Sequence, residues 1–229
     1  MNLTPVTIPK VVKSMFPDFV WNIDSTQKTL YLTFDDGPTP EITDWVLDCL
    51  KSYNAKATFF CIGNNVEKYP EIFRRIIDEG HSVGNHTQNH LKGWKTKIKN
   101  YIENVILCDL VLKSQIPKNN SQEGNSKIIN HQSLIFNLFR PPYGRLKPKQ
   151  GKALIKNGYK IIMWSVLSLD WDKNLSTTQC YNNVVKKAVS GDIIVFHDSI
   201  KASKNMRFAL PKVLEYFSEK GFEFKRIPE

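Results

Sequence analysis

The chain has 229 residues, a length that suits one large α/β domain. Hydrophobic residues make up 41% of it, so the chain can bury a core and is not globally disordered. Lys and Arg outnumber Asp and Glu by 32 to 22, and the resulting net charge of +10 favours contact with anionic polymers or membranes without deciding the fold.

The first element in chain order is the N-terminal segment 1–27, which we predict to be a strap packed on a domain formed by residues 28–229. Its stretch Val11–Trp21 carries Phe16 and Phe19 beside basic residues, so it either packs across one end of the domain or lies on a membrane surface. No signal peptide is visible, and no apolar run approaches the roughly 20 residues of a membrane span. We therefore expect a cytoplasmic or peripheral-membrane protein.

Short β-prone runs alternate with amphipathic helical patterns along the rest of the chain. The predicted strands are Lys28–Phe34, Lys56–Cys61, His81–Gly84, Leu134–Phe139, Tyr159–Trp164, Asp192–Phe196 and Phe222–Ile227. Six helices lie between them, with Pro40 and Pro70 each predicted in a first helical turn and Gly80 ending the second of these helices. Strands that alternate with helices pair in parallel through right-handed crossovers. The pattern therefore predicts an α/β fold, a distorted barrel of β/α units.

One segment, Pro117–Ser133, interrupts this alternation. It is rich in Asn, Ser, Gln and Lys and has no apolar period, which predicts an exposed, mobile loop with His131 in solvent. We see no repeat and no linker that would divide the chain further.

Polar side chains follow five of the predicted strands at the point where each strand ends. In a parallel β/α barrel the carboxyl ends of the strands meet on one face, where active sites form. We therefore expect these residues to converge. They are Asp35 and Asp36, His86 and His90, Arg140 to Gly144, Asp170 and Trp171, and His197 and Asp198.

The adjacent carboxylates of Asp35 and Asp36 and the His86-x-x-x-His90 pair suggest a metal site. Alone, the aspartates could form a solvated turn and the histidines a surface pair. Together, two His that would share one face of a helical turn and one Asp give three metal ligands with one position open, as in catalytic zinc sites. Co²⁺, Ni²⁺ or Mn²⁺ also suit these ligands. The second aspartate is then free to act as a base on water activated by the metal.

Two further residues have candidate catalytic roles. Arg140, between a strand and Pro-Pro, can hold the free carboxylate ionised, although a structural ion pair with a helix is the alternative. His197, at the end of a buried run, can protonate a leaving group, and Asp170 could raise its pKa. The alternative for His197 is a buried side chain satisfied by a backbone partner.

The motifs Asp-Asp-Gly-Pro, His-Thr-x-x-His, Arg-x-Pro-Tyr, Asp-Trp and apolar-x-His occur here in the order seen in the polysaccharide deacetylase family. This is the NodB-homology group, or carbohydrate esterase family 4, and the chain resembles it from about Lys28 to Ile227. The resemblance implies a distorted (β/α)7 barrel and hydrolysis of acetyl groups, mostly N-acetyl, on chitin, peptidoglycan, xylan or related glycans.

The resemblance also implies roles for individual residues. Asp35 would be the general base, oriented by Arg140, with His197 as the general acid tuned by Asp170. The metal ligands would be Asp36, His86 and His90. The substrate-binding residues would be Pro141, Tyr143 through its backbone N–H, and Trp171 and Val195 as walls of the acyl pocket. The chain departs from the family at Leu167, where many members carry Asp, and at Val195, where Leu is usual.

The leading functional hypothesis is a metal-dependent hydrolase that removes N-acetyl groups from amino-sugar polymers or oligomers. One alternative is a glycan-binding relative with weak or no turnover, motivated by Leu167. Another is a deacylase of a lipid-linked or small acylated amine, motivated by the basic N-terminal strap. We expect an N-acetylated glycan as partner and no nucleic acid, because the basic residues are spread along the chain without a recognised binding motif. The oligomeric state is left open.

Overall fold

The computed structural model describes residues 4–116 and 135–228, so the predicted loop Pro117–Ser133, with His131, lies outside the described residues. One parallel sheet organises the chain, in the strand order β5-β4-β3-β2-β1-β7-β6, with β8 paired to the start of β1. Because β5 and β6 stand at the two ends of this order, the curled sheet is an open barrel rather than a closed one. The strands are β1 (Thr29–Asp35), β2 (Ala57–Cys61), β3 (Ser82–Asn85), β4 (Ile135–Phe139), β5 (Lys160–Ile161), β6 (Val166–Leu167), β7 (Ile193–His197) and β8 (Glu223–Phe224).

Helices connect successive strands, as the alternating pattern predicts, except between β5 and β6, and the first helix precedes β1. They are α1 (Lys10–Met15), α2 (Ile42–Ser52), α3 (Gly63–Lys68), α4 (Pro70–Asp78), α5 (Ile98–Ser114), α6 (Pro148–Lys156), α7 (Thr177–Val185) and α8 (Ser203–Glu219). Helix α4 begins at Pro70 and is followed by Gly80 at φ +79°, both as predicted. Pro40 instead lies two residues before α2, in a turn where the Thr39 carbonyl accepts the N–H groups of Ile42 and Thr43.

The predicted strand Tyr159–Trp164 was too long, because its backbone groups find partners outside the sheet. After β5, the N–H of Met163 donates to Val20 of the N-terminal segment, and the carbonyls of Ile162 and Met163 accept from the Arg140 side chain. The two-residue strand β6 that follows was not predicted, and the predicted strand Phe222–Ile227 shortens to β8.

Helix α3 was also not predicted, because its sequence GNNVEK has no apolar period. Only Gly63 and Val66 of this helix are buried.

Residues 4–27 run across the opening of the barrel between β5 and β6. Isolated bridges join Thr7 to Val166 and Val20 to Ile162, one on each side of the opening. The rings of Phe16 and Phe19 stack at 5.2 Å and pack with buried Trp21 against a core cluster of the domain. These aromatic side chains therefore contact protein, and membrane contact stays a prediction. None of the described helices has the length and hydropathy needed to cross a bilayer.

The main core lies between the sheet and the outer helices. Leu30, Leu32 and Phe34 of β1 belong to it, with the Phe34 ring stacked 5.0 Å from that of Phe59. Side chains alternate across a strand, so Thr33 and Asp35 point to the opposite side, into the barrel. The alternation of side chains along β1 thus places the Asp35 side chain inside the barrel, at the carboxyl end of the strand.

Candidate active site

Asp35 is the last residue of β1 and lies beside His197, its register partner on β7. Arg140 is fully buried next to it and donates to Asp35 Oδ1 and to Thr33 Oγ1, both at 2.7 Å. Its Nε and Nη2 donate to the carbonyls of Ile162 and Met163 at 3.2 and 2.9 Å. Burial lowers the pKa of Arg140, and the Asp35 carboxylate counteracts this effect. The alternative of an ion pair with a helix is therefore wrong, since the partner of Arg140 is the candidate base.

Asp36, His86 and His90 converge on one point in front of this pair. Their ligand atoms all lie within 4.8 Å of one another. Asp36 Oδ1 is 3.7 Å from His86 Nε2 and 3.2 Å from His90 Nε2. The three residues come from the ends of β1 and β3, as the strand-end argument predicts.

The two histidines do not share a helical turn, and this part of the sequence prediction is wrong. The chain from His86 to His90 is a loop in which Thr87 and His90 have positive φ, at 66° and 53°. The Asn85 side chain accepts the Thr87 N–H at 2.8 Å, and the Asn104 carbonyl accepts the Gln88 N–H at 3.2 Å. Loop hydrogen bonds, rather than helical spacing, bring the two imidazoles to one ion-sized space.

The protonation states of these groups suit a divalent cation. His86 Nδ1 lies 2.8 Å from the Arg140 carbonyl, which can only accept, so Nδ1 carries the proton and Nε2 keeps its lone pair. Burial lowers the pKa of His86 to about 4, so the ring is neutral at pH 7. Burial alone would raise the pKa of Asp36, but the hydrogen bond from His90 and the charges of the surrounding histidines lower it. One carboxylate and two imidazoles with one open side are the donor set of a catalytic metal centre.

His197 faces the metal ligands from β7 and is held by Asp170 through two contacts. Its Nδ1 lies 2.9 Å from Asp170 Oδ1, and its backbone N–H donates to Asp170 Oδ2 at 2.7 Å. Burial alone would lower the pKa of His197, but the Asp170 carboxylate outweighs it and raises the pKa to about 9. The partner of the imidazole is thus the Asp170 carboxylate rather than a backbone group, and at pH 7 the ring is protonated and can act as an acid.

Asp35, Asp36, His86, His90 and His197 line one cavity of about 720 Å³, with Arg140 and Asp170 buried behind them. Trp171 and Val195 line it, with the Trp171 ring 4.7 Å from that of His197. Tyr143 also lines it, 52% exposed and at φ 61°, with its ring 4.7 Å from that of His90. Pro141, which was also predicted to bind substrate, is buried and does not line the cavity.

Several residues that the sequence did not predict line the same cavity. They lie in the strap or within connecting loops, away from the strand ends where site residues are expected. These residues include Ile8, Val12, Trp94, Arg145, Trp164 and Lys201.

Leu167 does not remove the support of His197. It lies opposite Val195 in the β6–β7 register and packs with it in a small apolar cluster. Asp170 by itself makes the hydrogen bonds to both the imidazole Nδ1 and the backbone N–H of His197.

Comparison with known proteins identifies the family. The polysaccharide deacetylase family model matches residues 22–162. The chain belongs to the polysaccharide deacetylase family. It is 34% identical over 211 residues to a peptidoglycan-N-acetylglucosamine deacetylase of Bacillus cereus, covering 91% of each chain. It is 29% identical over 208 residues to the peptidoglycan-N-acetylmuramic acid deacetylase PdaC of Bacillus subtilis, covering 90% of this chain and 39% of that one.

A solved polysaccharide deacetylase structure shares the fold. The crystal structure of the Bc1960 peptidoglycan N-acetylglucosamine deacetylase, in complex with 4-naphthalen-1-yl-N-oxidanyl-benzamide, superposes with a TM-score of 0.80. Its sequence identity is 31%, over 92% of this chain and 91% of that chain. The predicted distorted α/β barrel is confirmed, and so is the predicted enzyme, a metal-dependent polysaccharide deacetylase that hydrolyses carbon–nitrogen bonds of N-acetylated amino sugars.

Proposed function

We propose that this enzyme removes the acetyl group from N-acetylglucosamine residues of peptidoglycan, with Zn²⁺ as its metal. One curated relative and one solved structure of that name support this substrate, since they match at 34% and 31% identity over about nine-tenths of both chains. Relatives named for N-acetylmuramic acid match at 29–30% and are longer than this chain. The observation that carries the proposal is the presence in one cavity of a three-ligand metal cluster, an arginine-held carboxylate and a carboxylate-held histidine.

Asp36, His86 and His90 would hold the ion. When bound, a divalent ion supplies a Lewis acid that polarises the acyl carbonyl and lowers the pKa of water. An Asp-His-His set suits zinc, and the same ligands accept Co²⁺, Ni²⁺ or Mn²⁺. Reconstitution of the metal-free protein with each ion would show which one supports turnover, and zinc giving no activity would contradict the assignment.

Asp35 would accept the proton of the attacking water. Arg140 binds its Oδ1, and no described residue donates a hydrogen bond to Oδ2. Because Arg140 is itself fixed by Thr33 and two backbone carbonyls, the Asp35 carboxylate has one orientation. Its free oxygen can therefore act as a general base without prior rearrangement.

His197 would give the proton that the leaving amine needs. Its Nδ1 is bonded to Asp170, so Nε2 is the nitrogen left to donate into the cavity. The raised pKa of this imidazole keeps it protonated at neutral pH. Tyr143 would contribute its backbone N–H to the developing oxyanion, and Trp171 and Val195 would contact the acetyl methyl group.

The test is to incubate zinc-loaded protein with peptidoglycan, digest the product to disaccharides and locate the missing acetyl group by mass spectrometry. We expect the acetyl group to be lost from N-acetylglucosamine while N-acetylmuramic acid stays intact. Loss of the acetyl group from N-acetylmuramic acid alone would mean that N-acetylmuramic acid, and not N-acetylglucosamine, is the substrate. No loss from either sugar, with metal bound, would overturn the proposed function.

A further inference from the structure

The peptide group between Asp36 and Gly37 is held by hydrogen bonds at both its carbonyl and its N–H, and the next peptide is held by a third. Asn65 Nδ2 donates to the Asp36 carbonyl at 2.7 Å, and the Gly37 N–H donates to Asp198 Oδ1 at 3.0 Å. The next carbonyl, that of Gly37, accepts the Ile62 N–H at 3.0 Å. The backbone that follows this candidate metal ligand is therefore fixed by residues that have no assigned role.

Asp36 needs such support because its backbone conformation is unfavourable. Its φ is +81°, in the left-handed region that residues with a side chain rarely adopt. Strained conformations of this kind persist only where the surrounding structure determines them. The direction of the Asp36 carboxylate depends on this φ. Relaxation to an ordinary value would turn the carboxylate away from His86 and His90.

Asp198 is placed to provide this support and is otherwise unused. It is 1% exposed, and its second carboxylate oxygen accepts the Thr43 hydroxyl at 2.5 Å. Its approach to the loop requires glycine at position 37, because a Cβ there would lie 1.9 Å from Asp198 Oδ2. It directly follows His197, and its N–H donates to the Asp35 carbonyl at 3.2 Å. Asp198 thus ties the loop of the candidate metal ligand to the strands that carry the candidate acid and base.

We propose that Asp198 and Asn65 are positioning residues that hold Asp36 in its metal-binding conformation by fixing the Asp36–Gly37 peptide. The proposal rests on the proposed function, since it takes Asp36 as a metal ligand. It predicts a loss of metal affinity that exceeds any loss of fold. Removing the partners that orient metal ligands costs about 10–100-fold in metal affinity.

The experiment measures Zn²⁺ dissociation constants of metal-free proteins by competition with a chromophoric chelator. We expect Asp198→Ala and Asn65→Ala each to weaken binding about 10–100-fold. Asp198→Asn keeps an oxygen that can accept the Gly37 N–H, so it should recover most of the affinity. The control is Asp192→Ala, which removes a buried carboxylate at the other end of β7 that accepts the Val189 N–H at 2.8 Å. It should lower the melting temperature and leave zinc affinity unchanged.

Wild-type affinity and acetate release, measured alongside, separate this proposal from the proposed function. A wild-type protein that binds no zinc would overturn both. A wild-type protein that binds zinc while both alanine variants bind equally tightly would overturn only the positioning roles, as would equal weakening in Asp192→Ala. If Asp198→Ala does not fold, Asn65→Ala decides the matter, because Asn65 is only half-buried and the described residues show one hydrogen bond from its side chain.

Discussion

Replacing Asp170 by Asn isolates the electrostatic role of one carboxylate with almost no change of shape. Asp170 accepts two hydrogen bonds from His197, one from the imidazole and one from the backbone. The side-chain oxygen of Asn can accept only one of these two hydrogen bonds, and its NH₂ group would face the other His197 donor. We expect a stability loss of about 1–3 kcal/mol, because a buried N–H is left without an acceptor. The larger effect should be on catalysis.

The magnitude follows from the pKa of His197. It is about 9 in the folded protein, against 6.5 for an unperturbed histidine. This difference corresponds to about 3 kcal/mol in favour of the protonated ring, so about 99% of His197 is protonated at pH 7. In Asp170→Asn the burial remains and the largest compensating charge is gone, while the weaker effects of Asp36 and Asp35 remain, so the pKa should fall towards 6.5. At a pKa of about 6.5 and pH 7, about a quarter of His197 carries its proton, and the rate falls about 4-fold from protonation alone.

The assay is the pH dependence of kcat on an acetylated glycan fragment. An acid must be protonated to act, so activity is lost as the pH rises through its pKa. We expect the alkaline limb near pH 9 in the wild type and about two pH units lower in Asp170→Asn. Asp18→Asn, which removes an exposed carboxylate, should leave the profile unchanged. Superimposable profiles for wild type and Asp170→Asn would refute the assignment of His197 as an acid tuned by Asp170.

Three further predictions concern single buried groups. Asp35→Asn should reduce kcat at least about 100-fold while zinc affinity, measured by chelator competition, stays within a few-fold; loss of zinc would mean that Asp35 and Asp36 exchange roles. Arg140→Met should destabilise the fold by about 3–5 kcal/mol in urea denaturation, because Asp35 is left buried without its partner, and an unchanged midpoint would contradict this. His81 is buried with its pKa lowered to about 3, and its Nδ1 accepts the Ala57 N–H. As the pH falls below 6.5, His81 therefore takes up a proton in the unfolded state but not in the folded state, which destabilises the fold. Between pH 7 and 4 the free energy of unfolding should drop by about 3 kcal/mol more in the wild type than in His81→Asn. Parallel curves of unfolding free energy against pH for the two proteins would contradict this.

The strand ends that carry the site could be predicted because they follow from periodicity and topology alone. An apolar run such as that of β1 predicts a buried strand, and parallel strands place their carboxyl ends on one face. The sequence therefore predicts that Asp35, Arg140 and His197 lie near one another at these strand ends, and the structure brings them together there.

The loop between His86 and His90 could not be predicted in the same way. The loop is held by the Asn85 side chain, which accepts the Thr87 N–H, and by the carbonyl of Asn104, 16 residues along the chain, which accepts the Gln88 N–H; such bonds leave no periodic trace in the sequence. The support given by Asn65 has the same character. It comes from α3, a helix too polar to be recognised, and reaches a carbonyl 29 residues away. The short strands beside the opening of the barrel were mispredicted because the N-terminal segment and Arg140 use the backbone groups of Ile162 and Met163.

The most direct test of the account is acetate release from peptidoglycan fragments by metal-free protein titrated with Zn²⁺. If Asp36, His86 and His90 form one catalytic metal site, activity should be absent without metal and should rise linearly to a plateau at one ion per chain. The plateau should vanish in His86→Ala. Acetate release that persists at full rate in the metal-free protein, or no release at any metal concentration, would contradict the account.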